Sequence, residues 1–339
     1  MSTAPHQVNV APDRIFDTLI AYQKTAALKA AIQLDVFSAV AEGAKTHAAI
    51  ANRCQCSERG MRILCDYLVI NGFLTKSEQE YSLAEDSAAF LDRRSPAYVG
   101  DIAGFLARPE MIDIFADLAT AVRKGGSPRG EEPNIEPDHS KWVDFARSMG
   151  SLSRLIAEGL AESLGASAGE KWKVLDIAAG HGMYGVTIAK HNPNAEVFAV
   201  DLAAVLQVAH ENAKAAGVAA RHHSLPGNAF EVDLGKDYDI VLLPNFLHHF
   251  DPETIVTFLR KIHGALKPTG RVVTVEFIPN EDRVTPPMAA GFSIVMLGTT
   301  RAGDAYTYSE FDRMFRQAGF SLNELRRVPG PESFIISKK

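Results

Sequence analysis

Cysteine, positive charge and long apolar runs are all scarce in this chain, and each scarcity closes a class of reading. The only cysteines are Cys54, Cys56 and Cys65. Two of them form C-x-C with His47 nearby, but the C-x-x-C pairing usual at structural zinc sites is absent, so no metal is expected and the thiols read as reduced and structural. Acidic residues outnumber basic ones, 41 to 35, for a formal net charge of −6. That balance disfavours a surface for nucleic acid. No apolar run approaches the ~20 residues needed to cross a bilayer. Met1 to Asp13 lacks the apolar core of a secretory signal, so the expected location is cytoplasmic. No internal repeat or low-complexity segment is evident. What remains, 46% hydrophobic and 22% charged over 339 residues, suits a globular chain of two domains, or three at a stretch.

The first half reads as helical. Ile15, Leu19, Tyr22, Ala26 and Leu28 recur mostly at helical spacing over 14–32. Shorter helices are predicted over 34–40, 46–53 and 57–71, with Thr46 and Ser57 as N-caps and Gly72 as a C-terminal stop. Phe73–Thr75 and Tyr81–Leu83 then suggest a hairpin. Helix, helix, longer helix and hairpin is the order of a winged helix, which raises DNA binding as a rival function. The helix that would read bases sets Arg59 and Arg62 against Glu58 and Asp66, and the wing sets Lys76 against Glu78 and Glu80. Such faces suit a polyanion poorly, and packing against a second subunit fits the apolar helices better. Further helix is predicted over 96–125, then a Gly/Pro-rich loop over 125–137, then a helix from Trp142 to Leu164. Phe145 and Met149 on that last helix are either packing or cover for a substrate pocket.

From Lys171 the texture changes to alternating strands and helices, the mark of a parallel sheet with crossover helices. Strands are predicted at 172–178, 195–201, 218–224, 238–244, 270–277, 320–328 and 332–338. Helices fall at 183–191, 203–215, 252–266 and 309–318. Pro329-Gly330-Pro331 is too short for a crossover, so the last two strands must pair antiparallel. The first strand runs into Gly180-x-Gly182-x-x-Gly185, where glycine lets backbone approach a ligand and a helix N-terminus presents free N–H groups. Asp176 lies inside that strand. The second strand ends in Asp201, placed to accept from both hydroxyls of a ribose. With the antiparallel ending, these acids favour S-adenosyl-L-methionine over a nicotinamide cofactor. The fold class expected is α/β, a Rossmann-like seven-stranded sheet of the class I methyltransferase kind with its last strand antiparallel, behind an N-terminal all-helical winged-helix domain.

In Val174–Gly185, Val200–Leu202, Leu225–Phe230, Asn245–Asp251, Val275–Pro279 and Tyr306–Phe311 before Ala318-Gly319-Phe320, the chain resembles the bacterial relatives of plant-type O-methyltransferases, O-methyltransferase family 2. The resemblance spans nearly the whole chain. It implies a dimerisation domain at 1–110, linking helices at 111–165 and a methyltransferase domain at 166–339, working as a homodimer. It implies cofactor contacts from Gly180 and Gly182 and a ribose contact from Asp201, with Asp176, Leu202, Asn228, Ala229, Phe230 and Asn245 completing the set. Asn228 stands where the family usually has Asp near the adenine; its amide oxygen can still accept from the adenine amino group. The product would be S-adenosyl-L-homocysteine.

Moving a methyl from sulfonium to oxygen is an in-line displacement, and a phenol with pKa near 10 needs its proton taken at neutral pH. A neutral histidine can take it. Leu247-His248-His249-Phe250-Asp251 follows the fourth strand of this half, and the family's L-H-D-W pattern places the base at His248, with His249 the alternative. Such a pair also occurs in methyltransferases that need no histidine base. The resemblance puts Glu276 and Glu310 beside the histidine as orienting acids, although Glu310 in a first helical turn also suits the helix dipole. Tyr306 departs from the Arg usual there. The insertion 282–305 carries Phe292 and Met296, which fit an adaptable lid over a flat substrate or a buried helix equally well. The expected activity is methyl transfer to the hydroxyl of a small aromatic acceptor. C- or N-methylation, another reaction using the same cofactor, or a DNA-binding regulator are the alternatives.

Overall fold

The computed structural model describes residues 11–128, 139–328 and 330–339. The chain divides into two compact units, Met1–Arg108 and Pro109–Lys339. The first comprises α1 (Asp13–Leu19), α2 (Ala21–Gln33), α3 (Val36–Ala41), α4 (His47–Arg53), α5 (Glu58–Ile70), the hairpin β1 (Leu74–Ser77) and β2 (Glu80–Leu83), α6 (Glu85–Phe90) and α7 (Ile102–Leu106). The helix expected over 14–32 breaks at Ile20. Thr46 and Ser57 cap α4 and α5 by accepting from Ala49 N at 3.2 Å and Gly60 N at 3.1 Å. Phe37, Ile50, Met61, Cys65, Leu68 and Tyr81 form the core beneath them. Burial pushes the Cys65 thiol up to about 12, the state of an unreactive, space-filling thiol. His47 is bonded to Glu58 at 3.0 Å, and no group of His, Cys, Asp and Glu among the described residues is placed to hold a metal.

Asp66 gathers two basic side chains and a hydroxyl onto itself: Lys76 Nζ at 2.6 Å, Arg62 Nη1 at 3.1 Å and the Tyr81 hydroxyl at 2.7 Å. Two of the few cations on the winged-helix face are thus neutralised in place. On α1 and the start of α2, by contrast, Ile15, Phe16, Leu19 and Tyr22 are each at least 60% exposed, a larger apolar stripe than scattered surface residues explain.

The second unit begins with α8 (Pro109–Ala116), α9 (Leu118–Lys124) and α10 (His139–Leu164). The single helical stretch expected to run to residue 125 is therefore three helices, α7 to α9, divided by the turn before Pro109 and by Asp117. The expected loop over 125–137 lies mostly outside the described residues. Then follow β3 (Lys173–Ile177), α11 (Met183–His191), β4 (Glu196–Asp201), α12 (Ala203–Ala215), β5 (His222–Pro226), β6 (Tyr238–Pro244), α13 (Pro252–Ala265), β7 (Leu266–Glu276), α14 (Pro287–Thr299), α15 (Tyr308–Gln317), β8 (Leu322–Arg327) and β9 (Ser333–Lys338). The seven strands are ordered β5-β4-β3-β6-β7-β9-β8. All neighbours are parallel except β9, which runs antiparallel to β7 and to β8. β3 and β6 are buried almost throughout, as expected of strands covered on both faces.

Two boundaries differ from expectation for visible reasons. Residues 219–221 form a 3₁₀ turn, not strand. Arg221 spends its guanidinium on the carbonyls of Ala189, Asn192 and Ala195 at the end of α11, and β5 starts only after it. β7 begins four residues early because Leu266 pairs with Tyr238 ahead of a register shift. No described helix is long and apolar enough to cross a membrane.

Candidate active site

Because β9 enters the sheet reversed, its first residues meet the carboxyl end of β7 and share one rim with the carboxyl ends of β3, β4 and β6, the edge where open α/β sheets hold ligands. On the β3–β4 side the rim is backbone. Gly180 and Gly182 have left-handed φ of +57° and +70°. A Cβ on Gly182 would lie 2.8 Å from the Ala209 Cβ of α12, so this glycine is demanded by helix packing. A Cβ on Gly180 would meet nothing nearer than 3.8 Å, so the chain there faces open space. Asp201 Oδ2 accepts from Gly180 N at 2.8 Å and Oδ1 from Leu202 N at 2.7 Å, fixing the carboxylate at the strand end. Burial raises its pKa, and the two N–H donors pull it back. Asp176 Oδ2 accepts from Gly185 N at 3.1 Å, while Oδ1 is buried with no partner. Burial, the dominant influence, pushes Asp176 up to about 7.

Further along the rim, Asn228 Oδ1 accepts from Phe230 N at 3.0 Å, so the oxygen expected to serve an adenine also closes its own turn. Lys261 Nζ binds the carbonyls of Ala229, Phe230 and Val232 and pins that loop from below. Phe230 packs with Phe246, Phe250 and Phe258. Asn245, left-handed at φ 52°, donates its backbone N–H to Val275 O at 2.8 Å and its Nδ2 to Glu332 Oε1 at 3.2 Å.

On the β6–β7 side the rim is side chains. Glu276, the last residue of β7, is 1% exposed and His248 is 4%. His248 Nδ1 lies 2.5 Å from Glu276 Oε2, and Glu276 Oε1 accepts from Leu247 N at 2.9 Å and His248 N at 3.3 Å. One carboxylate thus orients the ring and its turn together. With Nδ1–H donated to Glu276, His248 keeps its Nε2 lone pair for a proton. His249 is a different group. Burial, then the neighbouring His248 and Lys141, hold it well below the usual histidine range, and its Nδ1 has no partner.

The walls are aromatic. Phe292 of α14 meets His248 edge-on at 4.9 Å and stacks on Phe277 at 4.0 Å and 14°. Trp142 of α10 packs edge-on against His249 and Phe145. Met149 is half-buried on α10 and Met296 fully buried on α14; α14 is packed against α8, where Gly298 meets Ile114 and Phe115.

Glu310 needs a correction. Its Oε2 accepts from Thr307 N at 2.8 Å in the capping box of α15, and its Oε1 takes Arg283 Nη2 at 2.5 Å. Both oxygens are spent at a helix start and neither is bonded to His248, so the helix-dipole reading wins. The second buried carboxylate at the histidine's turn, beside Glu276, is Glu332, which reaches Asn245 and is unmarked by any motif; burial holds it up at about 7. The only hint in the sequence was an acid at the entrance of an apolar strand. Tyr306, where Arg was expected, donates its hydroxyl to Phe250 O at 2.7 Å and ties the end of the insertion to the histidine turn.

Comparison with known proteins agrees with the fold. Residues 130–321 match the model of the O-methyltransferase domain, and residues 16–93 that of the O-methyltransferase dimerisation domain. A crystal structure of a candidate O-methyltransferase from Nostoc punctiforme is 51% identical, with a TM-score of 0.93, covering 98% of this chain and 100% of that one. The 3-hydroxy-5-methyl-1-naphthoate 3-O-methyltransferase of Streptomyces sahachiroi is 27% identical across 97% of this chain and 95% of its own. The L-tyrosine C(3)-methyltransferase of Streptomyces lavendulae is 25% identical across 92% and 90%. The open space at Gly180 and the fixed Asp201 carboxylate suit the nucleoside of the family's methyl donor. The chain belongs to the S-adenosyl-L-methionine-dependent O-methyltransferases, as a class I methyltransferase sheet joined to an O-methyltransferase dimerisation domain.

Proposed function

We propose that this enzyme methylates the hydroxyl of a small, flat aromatic acceptor, with His248 as general base, and that it works as a homodimer through its N-terminal unit. The observation that carries the reading is the buried Glu276–His248 pair at 2.5 Å. Bound S-adenosyl-L-methionine supplies an electrophilic methyl. His248 Nε2 accepts the phenolic proton as the oxygen becomes nucleophilic, and Glu276 sits against the imidazolium that results. Phe277 and Phe292 offer stacked and edge faces to a planar acceptor, while buried side chains on this half of the rim exclude water. Asp176, Gly180, Gly182, Asp201, Leu202, Asn228, Ala229, Phe230 and Asn245 are assigned to the donor side. Phe145, Met149, Phe292 and Met296 are assigned to the acceptor side.

The exposed stripe Ile15, Phe16, Leu19 and Tyr22, together with the match to a dimerisation domain, supports pairing of two copies. Light scattering should give twice the chain mass. The chemistry is tested by incubating the enzyme with isotopically labelled S-adenosyl-L-methionine and a panel of phenols, naphthols and hydroxynaphthoates, and reading methyl incorporation by mass. A labelled methyl ether is the expected product; no incorporation into any phenolic acceptor would overturn the reading. The C-methylating relative supports one alternative, transfer to the ring carbon beside the same hydroxyl. It needs the same deprotonation, and fragmentation distinguishes an aryl methyl from a methyl ether.

A further inference from the structure

Glu332 has no place in the mechanism above, yet it is buried in the rim that carries it. It directly precedes β9, whose Ser333 pairs with Glu276 in the sheet register, so it lies next to the end of β7 that supplies the dyad's acid. Its Oε1 accepts from Asn245 Nδ2 at 3.2 Å, while Glu332 Oε2 and Asn245 Oδ1 are both enclosed without a partner. Such orphaned acceptors are costly, on the order of 1–3 kcal/mol each, so the carboxylate is held here against a penalty. Asn245 directly follows the last residue of β6. Its left-handed backbone at φ 52° starts the turn that delivers Leu247 N and His248 N to Glu276, and its own N–H is anchored on Val275 O.

We infer that Glu332 is a positioning residue for His248: by holding the side chain of Asn245 it fixes the left-handed turn that sets the histidine ring on Glu276. It is bonded to Asn245 and not to the histidine ring, and its charge also lies within reach of His248 and Glu276, an influence that Glu332→Gln removes while keeping the Asn245 contact. Three strand ends are joined by this arrangement, with Asn245 after β6, Glu276 closing β7 and Glu332 opening β9. The backbone of Asn245 is anchored on Val275 O, whereas its side-chain amide has only the Glu332 carboxylate as a hydrogen-bond partner among the described residues. The inference rests on the reading of His248 as the base.

The exchange measurement that tests it needs no acceptor. In full-length enzyme carrying ¹⁵N-histidine, the Nδ1–H of His248 should give a protected, far-downfield resonance, assigned by its loss in His248→Asn. Glu332→Ala should speed hydrogen exchange of that proton at least ~10-fold. Affinity for S-adenosyl-L-homocysteine, read by calorimetry, should stay within about threefold. Glu332→Gln keeps an oxygen for Asn245 Nδ2 and should restore exchange to within about threefold of wild type. Asn245→Gly removes the amide from the other side at a position where glycine carries no backbone strain, and should match the faster exchange of Glu332→Ala. Should the alanine variant fail to fold, the Asn245 variant decides. Wild-type exchange in Asn245→Gly, or equal loss in Glu332→Gln and Glu332→Ala, would overturn the inference. Undiminished turnover in His248→Asn would sink the base reading and leave this measurement standing on its own.

Discussion

On the proposed donor side of the rim, the first segment is the backbone between Asp176 and Gly185 with one carboxylate, Asp201, held by two N–H groups. On the proposed acceptor side stand side chains from separate segments: His248 after β6, Glu276 at the end of β7, Phe292 on α14 and Trp142 on α10. Glycines can do the first job because it requires only that chain be close and correctly bent. The second requires several side chains to converge, and each is held by something else. The difference predicts that donor-side changes act on folding and cofactor affinity, whereas acceptor-side changes act on turnover.

The largest effect expected is on the acceptor side. His248→Ala should lower kcat by ~10²–10⁴ and leave affinity for S-adenosyl-L-homocysteine within about twofold. Turnover and calorimetry together check this, and a parallel loss of affinity would blur the division between the two sides. Gly182→Ala should destabilise the fold by about 2–3 kcal/mol, because the new Cβ meets Ala209 at 2.8 Å in a left-handed backbone. Denaturant unfolding measures it. A loss of turnover without a loss of stability would mean that this glycine serves the ligand and not the helix.

Asp176 gives a pH test. Its folded pKa is raised to about 7 by burial, so the folded state holds the proton more tightly than the unfolded chain does. The stability it contributes is full below about pH 3.9 and is lost as pH rises toward 7. Asp176→Asn removes that loss and keeps an acceptor for Gly185 N. The variant should gain stability relative to wild type between pH 5 and pH 8, by on the order of 2–3 kcal/mol. Melting curves at the two pH values should show the gain, and an equal difference at both would show that the carboxyl is ionised throughout. The smallest effect belongs to Glu310→Gln. It keeps the capping box and loses an exposed pair with Arg283, so it should cost about 0.5–1 kcal/mol and change kcat less than about twofold. A hundredfold loss of kcat would restore Glu310 to the acceptor side.

The same division explains what could be read from the residues alone. β3, α11 and β4 carry their function in local order, with an apolar run, three spaced glycines and a terminal acid, and the structure puts them within a residue or two of expectation. The antiparallel entry of β9 was also legible, since three residues cannot carry a crossover. His248 and Glu276 needed the family's pattern, because they stand 28 positions apart with a helix between them. Glu310 was misplaced for the same reason: matching a motif gives position along the chain, while the direction of a side chain depends on the Arg283 and Thr307 that meet it. Arg221 moved the start of β5 by reaching carbonyls that no window around residue 221 contains. Glu332 had no motif at all, and only the sheet order brings it next to Glu276.

That sheet order also bears on how the molecule comes to be made. β9 is the last strand in sequence but lies inside the sheet, between β7 and β8. During synthesis, β3 to β7 can leave the ribosome and pair in turn, yet the free edge of β7 stays open until residues 333–338 emerge. Assembly of the catalytic rim is therefore a late event, set by one of the longest-range pairings in the chain, and a nascent or truncated product without those residues exposes a hydrophobic strand edge open to aggregation.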